Sequence, residues 1–305
     1  MLSILKTDYG SLYEGDCIQI MSQLPSESVD LIFADPPFNL GKQYSSNVDD
    51  NISENEYLEW SYAWIKESVR VLRTGGSLFI YNLPKWNIPL GAFLMKIGMT
   101  FRHWITIDMK YTLPIPKRLY PSHYSLLYYI KGKSPSIFHP DRLPLECCRN
   151  CGKERKDYGG YKNKMNPNGV NITDVWDDIP PVRHSKYKTR EANQLSLKLM
   201  DRIISMASNE DSLVLDPFGG SGTTYITAEL LKRRWIGMEL DCAPIIERFQ
   251  AIETEKEFMK TIHENKNILF TEKDLKKRFS KGEDPSNFKI EEVKKIIQDR
   301  QHPGK

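Results

Sequence analysis

The stretch Val29-Asp30-Leu31-Ile32-Phe33-Ala34-Asp35-Pro36-Pro37-Phe38-Asn39 closes an apolar run with an acid, two prolines and an aromatic ring. An acid side chain and the carbonyl of the residue after it can each accept one N–H of an aromatic amine. Holding both hydrogens draws the nitrogen toward tetrahedral geometry and frees a lone pair otherwise delocalised into the ring, which is what alkylation of such a nitrogen requires. Prolines carry no N–H and fix φ, so Pro36 and Pro37 stiffen the turn that aims the carbonyls, and Phe38 can stack on a planar base. An Asp-Pro pair alone is a common strand-end turn. The full Asp35–Phe38 set behind a buried run is much more specific.

A second motif is Leu213-Val214-Leu215-Asp216-Pro217-Phe218-Gly219-Gly220-Ser221-Gly222-Thr223-Thr224, an apolar strand that runs into a glycine-rich turn and then a helix. Gly219, Gly220 and Gly222 let backbone approach a nucleotide-like ligand closely. No lysine follows Gly222, so the turn is not a P-loop, and its spacing is not that of a dinucleotide fingerprint. The next apolar run, Trp235–Met238, ends in Glu239-Leu240-Asp241, where a carboxylate can hold the ribose hydroxyls of an adenosine.

The elements that must position these motifs alternate between short β-type runs and helical patterns, the signature of a parallel α/β sheet. Strands are predicted at Ser11–Tyr13, Val29–Ala34, Ser77–Tyr81, Trp104–Asp108, Ser125–Ile130, Ser212–Leu215 and Trp235–Met238. Glu56–Leu72 reads as an amphipathic helix ended by Gly75-Gly76, and Ala192–Ala207 and Thr223–Lys232 read as two more. From Gly132 to Arg183 prolines and glycines break the rhythm, so residues 132–183 read as an inserted domain between a first half (1–131) and a second half (184–263). Residues 264–305 read as a charged helical appendage with a frayed end.

Composition narrows the class. With 305 residues, 40% hydrophobic and 27% charged, the chain has room for one large core and an insertion. No apolar run reaches the length of a bilayer span, and the early charges of Lys6 and Asp8 argue against a signal peptide, so a cytoplasmic location is expected. Five cysteines, an odd number, argue against a disulfide framework. Cys148 and Cys151, spaced as Cys-x-x-Cys, supply half of a tetrahedral zinc site, with Cys147 and His139 as nearby candidates to complete it. His103, His123 and His184 have no metal spacing. The formal charge of +3 is small, but from Arg149 to Arg190 ten Lys/Arg face five Asp/Glu. That cluster is either a solvated face or a site for a polyanion.

Together the two motifs resemble the beta group of DNA amino-methyltransferases, in which an Asp-Pro-Pro-aromatic motif precedes the target-recognition region and the cofactor motif comes last. The resemblance covers roughly Ser11 to Arg248. It implies a doubly wound, mostly parallel seven-stranded α/β sheet, with cofactor and target base side by side at the C-terminal strand edges. S-adenosylmethionine would be the cofactor and N6 of adenine in duplex DNA the target, reached by base flipping. Asp at position 35 is associated chiefly with adenine, and N4 of cytosine is the alternative target. A non-catalytic DNA-binding specificity partner is disfavoured because both motifs are intact.

Carried onto this sequence, Asp35, Pro36, Pro37 and Phe38 are the expected catalytic residues. Asp16, Asp216, Phe218, Gly219, Gly220, Gly222, Thr223 and Glu239 are expected at the cofactor. Lys42 and Tyr44, in an Asn/Ser-rich loop, and Arg155, Lys156, Lys162 and Lys164, in the insertion, are expected DNA contacts. Arg118–Lys131, with Tyr120-Pro121-Ser122-His123, resembles the family's motif near the target base. Where relatives often carry Lys-Pro before a helix, this chain has Ala192-Asn193-Gln194-Leu195-Ser196. Cys17, in a Gly-Asp-Cys strand end, is rejected as a nucleophile, since amine methylation needs no enzyme–base bond. DNA is the expected partner, with a cognate restriction endonuclease and a homodimer admitted and no membrane.

Overall fold

The computed structural model describes residues 2–41, 51–109, 116–117, 119–143, 170–179 and 194–264. Two compact units divide the chain: residues 1–139 with 173–257, and residues 140–172 with 258–305. In chain order the first unit holds β1 (Leu5–Lys6), β2 (Gly10–Glu14), α1 (Cys17–Ser22), β3 (Val29–Ala34), α2 (Glu54–Val71), β4 (Leu72–Asn82), α3 (Pro84–Lys96), β5 (Thr100–Asp108) and β6 (His123–Ile130). Two short strands, β7 (Arg142–Leu143) and β8 (Val170–Asn171), pair antiparallel in the second unit. Then follow β9 (Val175–Trp176), α4 (Leu197–Ala207), β10 (Leu213–Asp216), α5 (Thr223–Leu230), β11 (Arg234–Glu239), α6 (Ala243–Gln250) and α7 (Ile252–Glu264).

One sheet runs in the order β1-β2-β11-β10-β3-β4-β6-β5-β9. From β2 to β4 all neighbours are parallel, while β6 runs antiparallel to both β4 and β5. The expected seven strands form its core. Two-residue strands β1 and β9 cap the edges and make nine. At the centre, all six residues of β3 are buried, as a parallel strand covered on both faces requires.

Strands β3 and β10 are parallel neighbours, yet the chain leaves them in opposite directions, through α2 to β4 and through α5 to β11. Right-handed crossovers then put α2 and α5 on opposite faces. The crevice beyond the C-terminal ends of β3 and β10 is thus a topological switch point, the place where open α/β sheets hold ligands. Both motifs end there.

Local chemistry sets the boundaries, and in three places it corrects the expectation. Helix α2 starts at Glu54 because Ser53 and Glu56 form a reciprocal capping box. It stops at Val71 rather than at the glycines: Leu72 turns extended, and β4 runs straight through Gly75-Gly76, with a bulge in its pairing to β3. Helix α4 starts at Leu197, not Ala192, because the Ser196 side chain accepts the Lys198 N–H. Cys17 opens α1 rather than ending a strand, because Asp16 caps that helix through the Gln19 N–H.

Candidate active site

The turn after β3 contains two prolines and so offers few N–H groups by which the fold could grip it. It is gripped through its carbonyls. The Tyr57 hydroxyl donates to the Pro37 carbonyl at 2.7 Å, and Trp86 Nε1 donates to the Phe38 carbonyl at 2.7 Å. Tyr57 in turn accepts from Asn82 Nδ2 at 3.0 Å, and the Tyr57 and Trp86 rings lie 4.4 Å apart. Among the described residues no hydrogen bond is made to the carbonyl of Pro36. Asp35 stands half-buried at the strand end. Beyond the turn the Asn39 side chain pairs with the backbone of Ile52 in both directions.

Phe38 is one of three aromatic rings gathered beside Asp35. Its centroid is 6.3 Å from Tyr81 and 5.8 Å from Tyr124, which are 5.0 Å from each other. Burial, reinforced by the negative charge of Asp35, pushes the Tyr81 hydroxyl well above its ordinary pKa, so Tyr81 is a neutral hydroxyl at physiological pH. Tyr124 lies at the start of β6, within the stretch expected near the target base; Arg118 of that stretch lies outside the described residues.

Across the crevice, Asp216 ends β10. Its carboxylate accepts the Phe218 N–H at 2.9 Å and the Thr224 hydroxyl at 2.5 Å. Burial holds its pKa well above the usual carboxylate range, and the charges of Asp35 and Glu239 push in the same direction. Asp216 therefore serves the turn's internal geometry. Gly222 caps α5 with φ +77°, a conformation that favours glycine. A Cβ at Gly219 would lie 2.7 Å from the Tyr225 hydroxyl. The Phe218 ring packs on Trp60 and Trp64 of α2, with centroids 5.6 and 5.2 Å away. Thr223 Oγ1 accepts from the buried Arg248 guanidinium at 2.7 Å, and the same guanidinium nitrogen donates to the Ser221 carbonyl at 3.1 Å.

At the end of β11, Glu239 accepts the Gly220 N–H at 2.6 Å through one oxygen and the Leu240 N–H at 2.9 Å through the other. Its carbonyl accepts the Gly15 N–H at 3.0 Å, which sets Asp16 beside this strand end. The strand ends thus gather Asp35–Phe38, Asp216–Thr223, Glu239 and Asp16 along one edge of the sheet.

Lys42, Tyr44, Arg155, Lys156, Lys162, Lys164, Cys147, Cys148 and Cys151 lie outside the described residues. Among the described residues no group of three His, Cys, Asp or Glu could hold a metal ion, and the His139 ring is already 2.9 Å from Asn209 Oδ1. Cys17 and Cys242 are buried, and burial pushes each thiol up to about 12; neither is a thiolate at neutral pH. No described helix is long and apolar enough to cross a membrane. Tyr57, Asn82, Trp86, Tyr81, Tyr225 and Arg248 are not assigned to the site by the sequence. The only sequence signal they carry is aromatic or polar type at buried helical and strand positions.

Comparison with known proteins adds four findings. A family model described as DNA methylase, of the N6/N4 type, matches residues 29–245. The type II methyltransferase M.BamHI of Bacillus amyloliquefaciens is 56% identical over 275 residues, covering 89% of this chain; the chain spans 65% of that relative's length. The DNA adenine methyltransferase YhdJ of Escherichia coli (strain K12) is 32% identical over 236 residues, covering 76% of this chain and 78% of YhdJ. Among solved structures, the PvuII DNA methyltransferase, described as cytosine-N4-specific, superposes with a TM-score of 0.60 at 18% identity, covering 97% of this chain and 93% of that one.

Proposed function

From the premise that the chain belongs to the N6/N4 DNA methylase family, we propose that it transfers a methyl group from S-adenosylmethionine to an exocyclic amine of a DNA base. One observation carries this reading: a turn able to hold both hydrogens of an amine and a glycine turn suited to a nucleoside end neighbouring parallel strands at the switch point. The acidic donor set fits the cofactor. The Glu239 carboxylate, anchored by the Gly220 and Leu240 N–H groups, stands at the strand end where a ribose hydroxyl would be held, and the negative charges of Asp35 and Glu239 lie close enough to act on Asp216 between them, which suits a cationic ligand. S-adenosylmethionine, when bound, supplies an electrophilic methyl group on a sulfonium.

The chain's own residues do the rest. Asp35 accepts one amine hydrogen and the Pro36 carbonyl the other, localising the lone pair on nitrogen. Phe38 stacks on the base drawn out of the duplex, with Tyr81 and Tyr124 completing an aromatic wall.

Adenine is the base we assign, because position 35 is Asp and because YhdJ, an adenine enzyme by name, aligns over most of the chain. The fold likeness to a cytosine-N4-specific enzyme along nearly the whole chain supports N4 of cytosine as a second reading. The type II designation of the M.BamHI relative supports a cognate restriction endonuclease as a partner. Mass spectrometry of nucleosides from DNA incubated with the protein and labelled cofactor tests all of this. Label in N6-methyladenine is expected. Label only in N4-methylcytosine would reverse the base, and label in neither would overturn the activity.

A further inference from the structure

We propose that Tyr57 is a positioning residue for methyl transfer, acting through the peptide plane of Pro37, with Trp86 as its helper; the inference rests on the function proposed above.

The Pro36 carbonyl belongs to the peptide unit joining residues 36 and 37, and the Pro37 carbonyl to the next. Each unit is planar, so two torsions at Pro37 set their relative direction. The pyrrolidine ring fixes φ. What remains is ψ of Pro37, and the Tyr57 hydroxyl holds it by gripping the Pro37 carbonyl at 2.7 Å. Trp86 grips the carbonyl one unit further, also at 2.7 Å. The aim of the Pro36 carbonyl, which accepts the target amine, is therefore set from behind by two buried side chains, one on α2 and one on α3.

The grip is built to be stiff. Tyr57, Asn82 and Trp86 are 2%, 0% and 4% exposed. Asn82 Oδ1 accepts the Leu83 N–H at 2.7 Å, its amide donates to Tyr57, and Tyr57 donates to Pro37. Such a chain of bonds in a dry interior polarises and reinforces each member. It also spans three elements, since Tyr57 lies on α2, Asn82 ends β4 and Trp86 lies on α3, so the turn is referenced to the body of the sheet rather than to a loop.

The test is Tyr57→Phe, which keeps the ring and removes the hydroxyl. The single-turnover methylation rate should fall roughly ten- to a hundred-fold, the size of effect that misaligned reacting groups produce. Equilibrium affinities for S-adenosylmethionine and for DNA should stay within about two-fold of the unaltered chain, because the lost contact acts only on transition-state geometry. Trp86→Phe should give the same split with a smaller rate loss, and it serves where Tyr57→Phe does not yield folded protein. An unchanged rate in the folded variants, or a rate loss matched by an equal loss of cofactor affinity, would overturn the inference. Absence of methyl transfer by the unaltered chain would instead overturn the function on which it rests.

Discussion

The Glu239 carboxylate accepts the Gly220 N–H at 2.6 Å, so the acid that ends β11 and the glycine turn that follows β10 move as one body. The same acid holds Leu240 and, through its carbonyl, Gly15. Glu239→Ala is therefore expected to act on cofactor binding twice, by removing an acceptor for a hydroxyl and by loosening the turn. A charged hydrogen bond contributes about 1.5–3 kcal/mol, which corresponds to a loss of S-adenosylmethionine affinity of roughly ten- to a hundred-fold. Calorimetric titration of cofactor into the variant checks this. DNA affinity measured without cofactor should move little, and a cofactor affinity equal to that of the unaltered chain would remove Glu239 from the site.

Asp35→Ala separates chemistry from binding. The acid follows β3, on the base side of the crevice, while the nucleotide-type turn follows β10. Methyl transfer should fall below detection, with cofactor affinity within a few-fold. Single-turnover rates and equilibrium binding on the same preparation decide it, and near-normal turnover would remove Asp35 from the catalytic role.

Much of the architecture was legible because it is local. The run Val29–Ala34 is buried along its whole length, so its apolar continuity marked both ends of the strand, and Asp35–Phe38 and Asp216–Thr224 were visible as compact motifs. Helix α3 was not: Pro84 sits at its first position, where proline is favoured, but Pro89 lies inside and breaks the pattern a reader looks for. The grip on the catalytic turn was invisible for another reason. Tyr57 and Trp86 lie 20 and 48 residues from their acceptors, and no spacing rule joins positions that only the sheet topology brings together. The Asp16 side chain could be marked as an acid at a strand end, yet its capping of α1 depends on whether a helix starts there.

Asp178 predicts how stability depends on acid. Burial alone would raise its pKa, but the two-pronged grip of Arg202 at 2.9 and 2.7 Å and the nearby Lys198 hold it well below the usual range. A folded-state pKa lowered in this way gives stability that is complete above the unfolded value near 4 and is lost as pH falls toward the folded value. Asp178→Asn should cost about 1–2 kcal/mol at pH 7, a buried-pair value reduced because the side chain is a third exposed. Urea unfolding of both proteins at several pH values reads it. The gap should stay constant down to about pH 4 and narrow below that; a gap that widens on acidification would contradict the assignment.

The basic insertion is proposed to bind the DNA backbone. Arg155, Lys156, Lys162 and Lys164 changed together to Ala should weaken DNA binding and lower the slope of log affinity against log salt by up to about 4, near one per lost phosphate contact. Filter binding across a salt series measures both quantities. Unchanged affinity and slope would return the cluster to an ordinary solvated face.

The last prediction concerns the space beneath the glycine turn. Tyr225 is fully buried, its hydroxyl donating to the Asp216 carbonyl at 2.9 Å and accepting the Met238 N–H at 3.0 Å, so it ties the ends of β10 and β11 together. A Cβ on Gly219 would meet that hydroxyl at 2.7 Å and the ring at 2.9 Å, and the ring cannot retreat because it stacks on Trp235 at 5.2 Å. Gly219→Ala should therefore destabilise the fold by about 1–3 kcal/mol, the usual effect of overpacking a tight interior. Tyr225→Phe alone should cost about 1 kcal/mol or more for the lost hydroxyl bonds. Combined, the two changes should cost less than their sum, since the smaller ring edge relieves the clash, with a coupling of about 0.5–1 kcal/mol. Thermal unfolding of the four proteins gives the cycle. Strict additivity would mean that the alanine methyl is accommodated by a shift of the turn rather than by contact with Tyr225, and cofactor affinity in Gly219→Ala would then fall further than stability alone explains.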